Sequence, residues 1–591
     1  MFVVHLTKFR RNMILRVVKN PLFWFALLMA VLTVRNNFHE GEPQRIIRSD
    51  GRGYYAYLPS MFIYNDPTFE SSVMTESNYY EDNFTQYYLF KTVEGHTYNK
   101  YSPGIAILQT PFFLIGATAA YFMGYPVDGY SPPFEVLFMI GSLFYSIIGI
   151  ILFSSFLRQL LPGKERVLHW FVPAFYVSTS LLFYNTNTLG FTHHYTFFLF
   201  GAFTWLLMKL KNDLTPKYLV VSGVVLGLIT LVRPTNILVI LILPFILGSK
   251  ENTIAFFKEL FSNKFKPFLR GTLGFLTMVL ILFSIWKWQS GNWIMWSYNG
   301  EGFNFFSPAL FENLFGFRIG LLLQNPIVIL AIFGGILLVK KDRFLGQWWW
   351  IYCFVNAWVI SSWWCWDYES IYGNRPFTEH LFFLLIPIIF LLEKLPKLTI
   401  GFAIFFSLIG SIRYETFFSG FTPDQQFTAQ NYIPSLFFWN ESNHGRWSTP
   451  DSVPPFGEMV QESVLVEEDN EISVGKNDLF IVSGSIDLPN SRTHERFYFK
   501  ANMEKKCEKP LVDVLLVVHA FNADQSKNYY YPMPLYNDQK EGLRSWDEIH
   551  FSGIVPDNFR EYETIKIYIW NKGQESFKLR NVKTSIETYK S

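Results

Sequence analysis

Cysteine is nearly absent from this chain. Cys353, Cys365 and Cys507 are the only three in 591 residues, which excludes a disulfide framework and a cysteine-based metal site. Charge is scarce as well: Lys, Arg, Asp and Glu make up 17% of the residues and nearly cancel, at net +2. The basic residues sit in short loops between apolar runs, so the balance does not point to nucleic acid as a partner. No internal repeat is visible, nor the paired interrupted segments that mark many transporters. No small-residue cleavage site follows the first apolar run, because Arg35-Asn36-Asn37-Phe38 is polar and bulky. That run, preceded by Lys8, Arg10, Arg11, Arg16 and Lys19, therefore reads as a retained span with a cytoplasmic N-terminus rather than a signal peptide.

What the chain has instead is apolar and aromatic surface. Half its residues are hydrophobic, with 63 Phe, 32 Tyr and 18 Trp. The apolar residues gather in runs of about 20, the length a helix needs to cross a hydrocarbon core of about 30 Å. The predicted fold class is a polytopic α-helical membrane protein. Candidate spans lie near 21–37, 104–124, 134–157, 168–184, 192–208, 218–232, 235–249, 271–288, 319–339, 347–362, 377–392 and 398–414. Lys and Arg mark alternate loops, as the positive-inside rule expects: Arg158 to Arg166, Lys209 to Lys217, Lys250 to Arg270, Lys340 to Arg343, and Lys394 with Lys397. This leaves 36–103, 185–191, 289–318, 363–376 and the chain after 415 outside. Twelve spans would return the C-terminus to the cytoplasm, against the charge pattern. The mismatch arises before residue 134, where Tyr125–Pro133 carries no Lys or Arg; a break at Pro111 or a missed span would resolve it, so 11–13 crossings are expected.

Hydropathy falls after residue 415, and from 455 the pattern becomes strand-like. The segments beginning at Ser463, Leu479, Arg496, Val512 and Ile565 alternate or run apolar over strand lengths, with Asn, Asp, Gly and Pro between them. The expected organisation is a transmembrane catalytic domain over 1–415, a linker over 416–454 and an extracytoplasmic β-sandwich over 455–591. The sandwich resembles jelly-roll modules that bind carbohydrate, notably around Tyr568-Ile-Trp-Asn; a structural or acceptor-docking role fits the same pattern.

The polar residues of the outer loops carry the functional signal. The first loop holds nine acidic and five basic residues, with Asp50-Gly-Arg52-Gly-Tyr54-Tyr55-Ala-Tyr57 just beyond the first span. Loops this long are more often functional than idle. Asp50 is the leading candidate for a catalytic carboxylate that takes a proton from an acceptor hydroxyl, against the alternative of a solvated loop aspartate. Gly51 and Gly53 allow a tight turn or close backbone approach, and Arg52 offers a fork for phosphate. Tyr54, Tyr55 and Tyr57 read either as interfacial aromatics or as cavity lining. Lys100, where the chain returns to the membrane in Lys-Tyr-Ser-Pro-Gly, either binds an anionic lipid phosphate or snorkels to the headgroups. Arg233, in Arg-Pro-Thr-Asn, carries the same pair of readings. His193 and its neighbour His194 lie near membrane depth, where histidines face polar cavities; adjacent positions point apart on a helix, so a single role for His193 is expected. Trp364 and Asp367, followed by Gly-Asn-Arg375-Pro, close the last outer loop, with Arg375 a second phosphate candidate and the tryptophans suited to the interface or to a sugar ring. Asn83-Phe-Thr85 and Asn440-Glu-Ser442 match glycosylation acceptors by chance.

Asp50 after the first span, Ser102-Pro-Gly-Ile at the membrane, Gly227-Leu-Ile-Thr-Leu-Val-Arg233-Pro, Arg318-Ile-Gly-Leu-Leu, and Trp364 through Gly373-Asn-Arg375-Pro form one set. Together they resemble the GT-C superfamily of integral membrane glycosyltransferases, in particular bacterial members similar to polyprenyl-phosphate-mannose protein mannosyltransferases. The resemblance covers residues 1–415 and implies sugar transfer from a polyprenyl-phosphate donor on the extracytoplasmic face of the inner membrane, to a protein, glycan or lipid acceptor. It implies Asp50 as catalytic base, Arg52, Lys100, Arg233 and Arg375 at the donor phosphate, and Tyr54, Tyr55, Tyr57, His193, Arg318, Trp364 and Asp367 around the substrate. Two positions depart from the family pattern. Thr192 stands where related sequences have Ser before His, and Arg52 stands where a second acid would complete an Asp-x-Asp pair. The second departure disfavours a divalent metal, and no cofactor is predicted. A lipid-linked glycan polymerase or ligase and a polytopic transporter are the competing readings, the latter weakened by the long polar loop and outer domain.

Overall fold

The computed structural model of the protein describes residues 20–39, 42–43, 46–79, 88–92, 95–298, 301–368, 370, 372–418, 432, 458–488, 495–508, 511, 514–523, 528–535, 546–555 and 562–590. The N-terminal basic cluster, the Asn83 and Asn440 tripeptides and nearly all of the expected linker lie outside these. The chain divides into two compact units, Met1–Ser72 with Thr92–Ile412, and Val73–Lys91 with Arg413–Ser591. Residues 73–91, predicted as part of the first loop, thus group with the C-terminal unit.

The first unit is helical, and its helices make the chain an integral membrane protein. Gly104–Met123, Pro132–Leu160, Phe265–Ser290 and Pro396–Phe417 are each long and apolar enough to cross a bilayer. Two bent pairs add up to two more, Glu165–Val177 with Ser180–Thr186 at 75° and Pro234–Leu247 with Lys250–Ser262 at 117°. The expected 11–13 crossings count shorter or interrupted helices as well, such as Pro21–Asn37, Pro216–Val232 and Val328–Lys341.

Local chemistry explains where these helices start and stop. Asn20 accepts from the Leu22 amide with Pro21 in the first turn, and Asp342 accepts from Leu345. Gly124 and Gly291 close their helices in the left-handed conformation, at φ 77° each. Pro111 does not break its helix: Gly104–Met123 runs through it, contrary to one resolution of the topology expected from sequence. Packing inside the membrane depends on small residues. A Cβ on Gly223 would fall 1.9 Å from the Gly271 carbonyl, so Pro216–Val232 and Phe265–Ser290 approach as backbone on backbone. The opposite flank of Phe265–Ser290 leaves Leu273, Leu276 and Leu280 exposed, the expected state of a lipid-facing surface.

Two antiparallel sheets form the C-terminal sandwich. One orders Asn528–Pro534, Val514–Phe521, Thr564–Asn571 and Phe480–Asp487; the other orders Asp547–Val555, Glu495–Cys507, Phe577–Lys590 and Glu458–Glu468, with Ile472–Val474 also on Phe577–Lys590. Alternate residues of both sheets meet in one core, including Leu516, Val518, Ile565, Ile567 and Ile569 from the first and Phe499, Ala501, Leu579 and Ile586 from the second. The polytopic helical unit and the C-terminal β-sandwich are therefore both as expected.

Candidate active site

Asp50 opens the short helix Asp50–Tyr55, and four contacts fix the segment leading to it. Asn37 Nδ2 donates to the Thr186 carbonyl at 2.9 Å. The Ile46 and Ile47 amides both donate to Glu135 Oε2, at 3.1 and 3.0 Å. Arg48 Nη2 donates to the Asn187 carbonyl at 2.7 Å. Ser49 then turns with φ 50°, a conformation unusual for a residue with a side chain, directly before the carboxylate. Gly51 explains why glycine is required at its position. A Cβ there would meet the Gly190 Cα at 2.7 Å, and one on Gly190 would meet the Gly51 Cα at 2.4 Å.

Three further bonds hold the chain returning at residue 100, to this helix at Gly53, to the span Phe265–Ser290 at Gln289, and to Tyr57 just beyond the helix. Asn99 Nδ2 donates to the Gly53 carbonyl at 2.6 Å, the Asn99 amide donates to Gln289 Oε1 at 3.3 Å, and Tyr57 Oη donates to the Tyr101 carbonyl at 2.5 Å. Tyr101 is thereby set against Asp50: its hydroxyl donates to Oδ1 at 2.7 Å. The other oxygen, Oδ2, pairs with Arg375 Nη1 at 2.8 Å, across 325 residues of sequence. The Arg375 guanidinium also lies 5.0 Å from the centre of the Phe191 ring, and its amide donates to Ser370 Oγ.

A second carboxylate, Glu379, anchors the other side. It is completely buried. Its Oε1 accepts from Arg233 Nη1 at 3.3 Å and Asn236 Nδ2 at 3.2 Å, and its Oε2 lies 2.6 Å from His193 Nδ1. A carboxyl surrounded by three donors serves all of them only when ionised, which assigns the His193 proton to Nδ1. Arg233 further stacks over Tyr368, 5.4 Å from the ring centre, and Tyr368 itself holds φ 53°.

The electrostatics join the two carboxylates into one cluster. Burial alone would push the Asp50 carboxyl up, but Arg375, the Tyr101 hydroxyl, Lys100 and His193 together hold it below its ordinary 3.8. Tyr54, tilted at 40° against Tyr101 with ring centres 4.5 Å apart, is raised well above 10 by burial, by Tyr298 and by Asp50. It therefore stays a neutral hydroxyl beside the carboxylate. Lys100 pairs with Glu301 at 3.3 Å and lies over the rings of Tyr101 and Tyr298, at 5.3 and 5.9 Å.

Of the residues predicted from sequence, Asp50, Tyr54, Lys100, His193, Arg233 and Arg375 come together here. The others hold different places. Arg52 is buried within the Asp50–Tyr55 helix. Tyr55 packs among Phe113, Tyr130 and Phe138 with its hydroxyl on the Gly129 carbonyl, so it is a core residue rather than cavity lining. Tyr57 acts through the Tyr101 backbone. Arg318 Nη1 pairs with Asp367 Oδ2 at 2.7 Å, and the adjacent Ile319 carbonyl accepts from the amide of Asn374, the residue before Arg375, so this pair braces the loop that carries Arg375. Trp364 stands 49% exposed; its neighbour Trp363 meets Tyr298 instead, at 5.7 Å. Sequence reasoning missed Glu379, although an acid inside an apparent span, Thr378-Glu379-His380, is itself a signal of function. Among the described residues no group of three or more His, Cys, Asp or Glu side chains could hold a metal ion. The neighbours of Asp50 are cationic and phenolic, a donor set unsuited to a divalent cation.

No protein-family model matches the sequence, and no curated protein does. Among solved structures the chain is similar to the Archaeoglobus fulgidus oligosaccharyltransferase, at 13% identity and TM-score 0.35, over 74% of this chain and 59% of that one. It is also similar to the arabinosyltransferase EmbB from Mycobacterium smegmatis, at 9% identity and TM-score 0.29, over 75% of this chain and 56% of that one. The chain thus spans less than two thirds of either protein, and likenesses at these scores speak to neither reaction nor substrate.

Proposed function

We propose that the protein is a membrane glycosyltransferase that moves a sugar from a polyprenyl-phosphate donor to an acceptor hydroxyl on the extracytoplasmic side of the inner membrane. The observation that carries this reading is the meeting of Asp50 and Arg375 at 2.8 Å, with Lys100, Arg233 and His193 in the same cluster. One carboxylate among several fixed cations is what such a reaction needs. The acceptor oxygen attacks the anomeric carbon and its proton passes to Asp50. The bond between that carbon and the phosphate oxygen breaks, and the electron pair leaves with the lipid phosphate. Arg375 and Arg233 face the charge that develops on that oxygen, so their stabilisation grows towards the transition state and lowers the barrier. Direct displacement inverts the anomeric centre.

Asp50 is ionised at neutral pH and so is ready to accept a proton. Its bond to Arg375 weakens it as a base, and a phosphate that engages Arg375 would restore that basicity. The chemistry draws its positive charge from Arg and Lys and uses no metal. Acceptors consistent with this site are hydroxyls of protein, glycan or lipid, and the C-terminal sandwich is a candidate for holding them.

Reconstitution tests the proposal. Full-length protein in liposomes, given polyprenyl-phosphate sugars, should release polyprenyl phosphate and add the mass of one sugar to an acceptor. Addition of a whole glycan in one step would favour the ligase alternative. No donor turnover with any polyprenyl-phosphate sugar would refute the reading.

A further inference from the structure

Between the span Phe265–Ser290 and the helix Val328–Lys341 the chain turns its aromatic side chains outward. Trp293, Trp296, Phe305, Phe306, Phe311 and Phe315 are between 45% and 102% exposed. At about 200 Å² per ring, these exposures together leave roughly 770 Å² of aromatic surface in the open. Charge is sparse in the same stretch: from Trp288 to Phe317 only Glu301 and Glu312 carry any. The surface also follows directly on a membrane-facing one, since the preceding span leaves Leu273, Leu276 and Leu280 exposed. Trp at the end of a span suits the headgroup level, and Phe beside it is a ring that segments lying in the interface bury towards the acyl chains.

The inward side of this stretch is bound to the Asp50 cluster. Glu301 pairs with Lys100 at 3.3 Å. The Tyr298 ring lies 6.5 Å from Tyr101 and 5.7 Å from Trp363, and Phe303 lies 4.8 Å from Trp363.

We infer that the six outward rings lodge in the headgroup–acyl boundary of the bilayer and anchor there the wall that carries Tyr298 and Glu301. The partner of this surface is lipid. A docked protein would call for a polar rim around the aromatic centre, and the two glutamates do not supply one, Glu301 being engaged inward by Lys100. Anchoring in the bilayer holds Lys100 and Tyr101 at the height where a lipid-borne ligand meets the cluster. The inference stands on the exposed surface and does not depend on sugar transfer.

Photolabelling of the native full-length chain tests it. The protein is reconstituted in phosphatidylcholine vesicles containing phosphatidylcholine with a diazirine on its acyl chain, irradiated, and mapped by peptide mass spectrometry. Adducts on Trp293, Trp296, Phe306 and Phe311 at a density matching that on Leu273 to Leu280 are the expected result. Adducts confined to the spans, with the six rings unlabelled, would overturn the inference. So would labelling of those rings by a charged, water-soluble diazirine in place of the lipid probe, which would assign the surface to water or to a protein partner.

Discussion

Replacing Glu379 by Gln preserves the shape of a buried side chain and removes its charge. In the native protein one carboxylate serves three donors: Arg233 at 3.3 Å, Asn236 at 3.2 Å and His193 at 2.6 Å. An amide has one oxygen and one NH2 group, so it satisfies one side and turns a donor towards the other. Arg233, only 21% exposed, then loses its counter-charge while Arg375 remains close enough to repel it. Removing one partner of a buried pair costs about 3–5 kcal/mol. The lower end applies here, because Arg233 keeps some solvent and its place over Tyr368. At roughly 2 °C or less per kcal/mol for a chain of this size, about 3 kcal/mol lowers the thermal midpoint on the order of 5 °C. The assay is thermal unfolding of the full-length protein in detergent, followed by tryptophan fluorescence. Glu393→Gln is the control, since its partner Lys341 is 57% exposed and surface pairs contribute little. An E379Q midpoint within the scatter of wild-type scans would refute the buried cluster.

Two further outcomes follow from the geometry. Asp50 titrates below 3.8 in the folded state, so its contribution to stability is present above that pH and is lost as pH falls through the folded value. Arg375→Met removes the foremost group holding it down, so the folded-state titration of Asp50 and the acid limb of thermal stability move to higher pH; an unmoved limb in acid scans would contradict the pairing. Gly190→Ala places a Cβ 2.4 Å from the Gly51 Cα, where backbone cannot yield as a side chain would; a loss of about 1–3 kcal/mol and a displaced Asp50 are expected, read as a lowered midpoint together with reduced activity.

Much of this architecture was legible in the sequence because membrane helices and outer-loop charges leave strong patterns. Asp50 and Arg375 stood out through their glycine-rich, aromatic surroundings, and both belong to the cluster. Tyr55 did not differ in pattern from Tyr54, since only tertiary packing separates a ring in the core from one beside a carboxylate. Glu379 was hidden because hydropathy averages one acid into the apolar run 377–392. That run is in fact interrupted, with Arg375–Phe377, Leu381–Leu384 and Ile388–Lys394 as separate short helices. In the sandwich, Phe577–Lys590 escaped detection although it is a central strand. Its bulge between Arg580 and Lys583, with Asn581 at φ 50°, shifts the inward positions from Leu579 to Val582 and breaks the period of two. Its outward positions carry Lys578, Arg580 and Lys583, which mask the apolar face.

The central claim is that Asp50 takes the acceptor's proton within a cluster assembled from the first and last outer loops. The most direct measurement is the initial rate of sugar transfer from a labelled polyprenyl-phosphate donor by Asp50→Asn protein whose thermal midpoint shows it to be folded. The account predicts a fall of at least about a hundredfold, within the range of general-base catalysis. Transfer by the folded variant at the wild-type rate would contradict it.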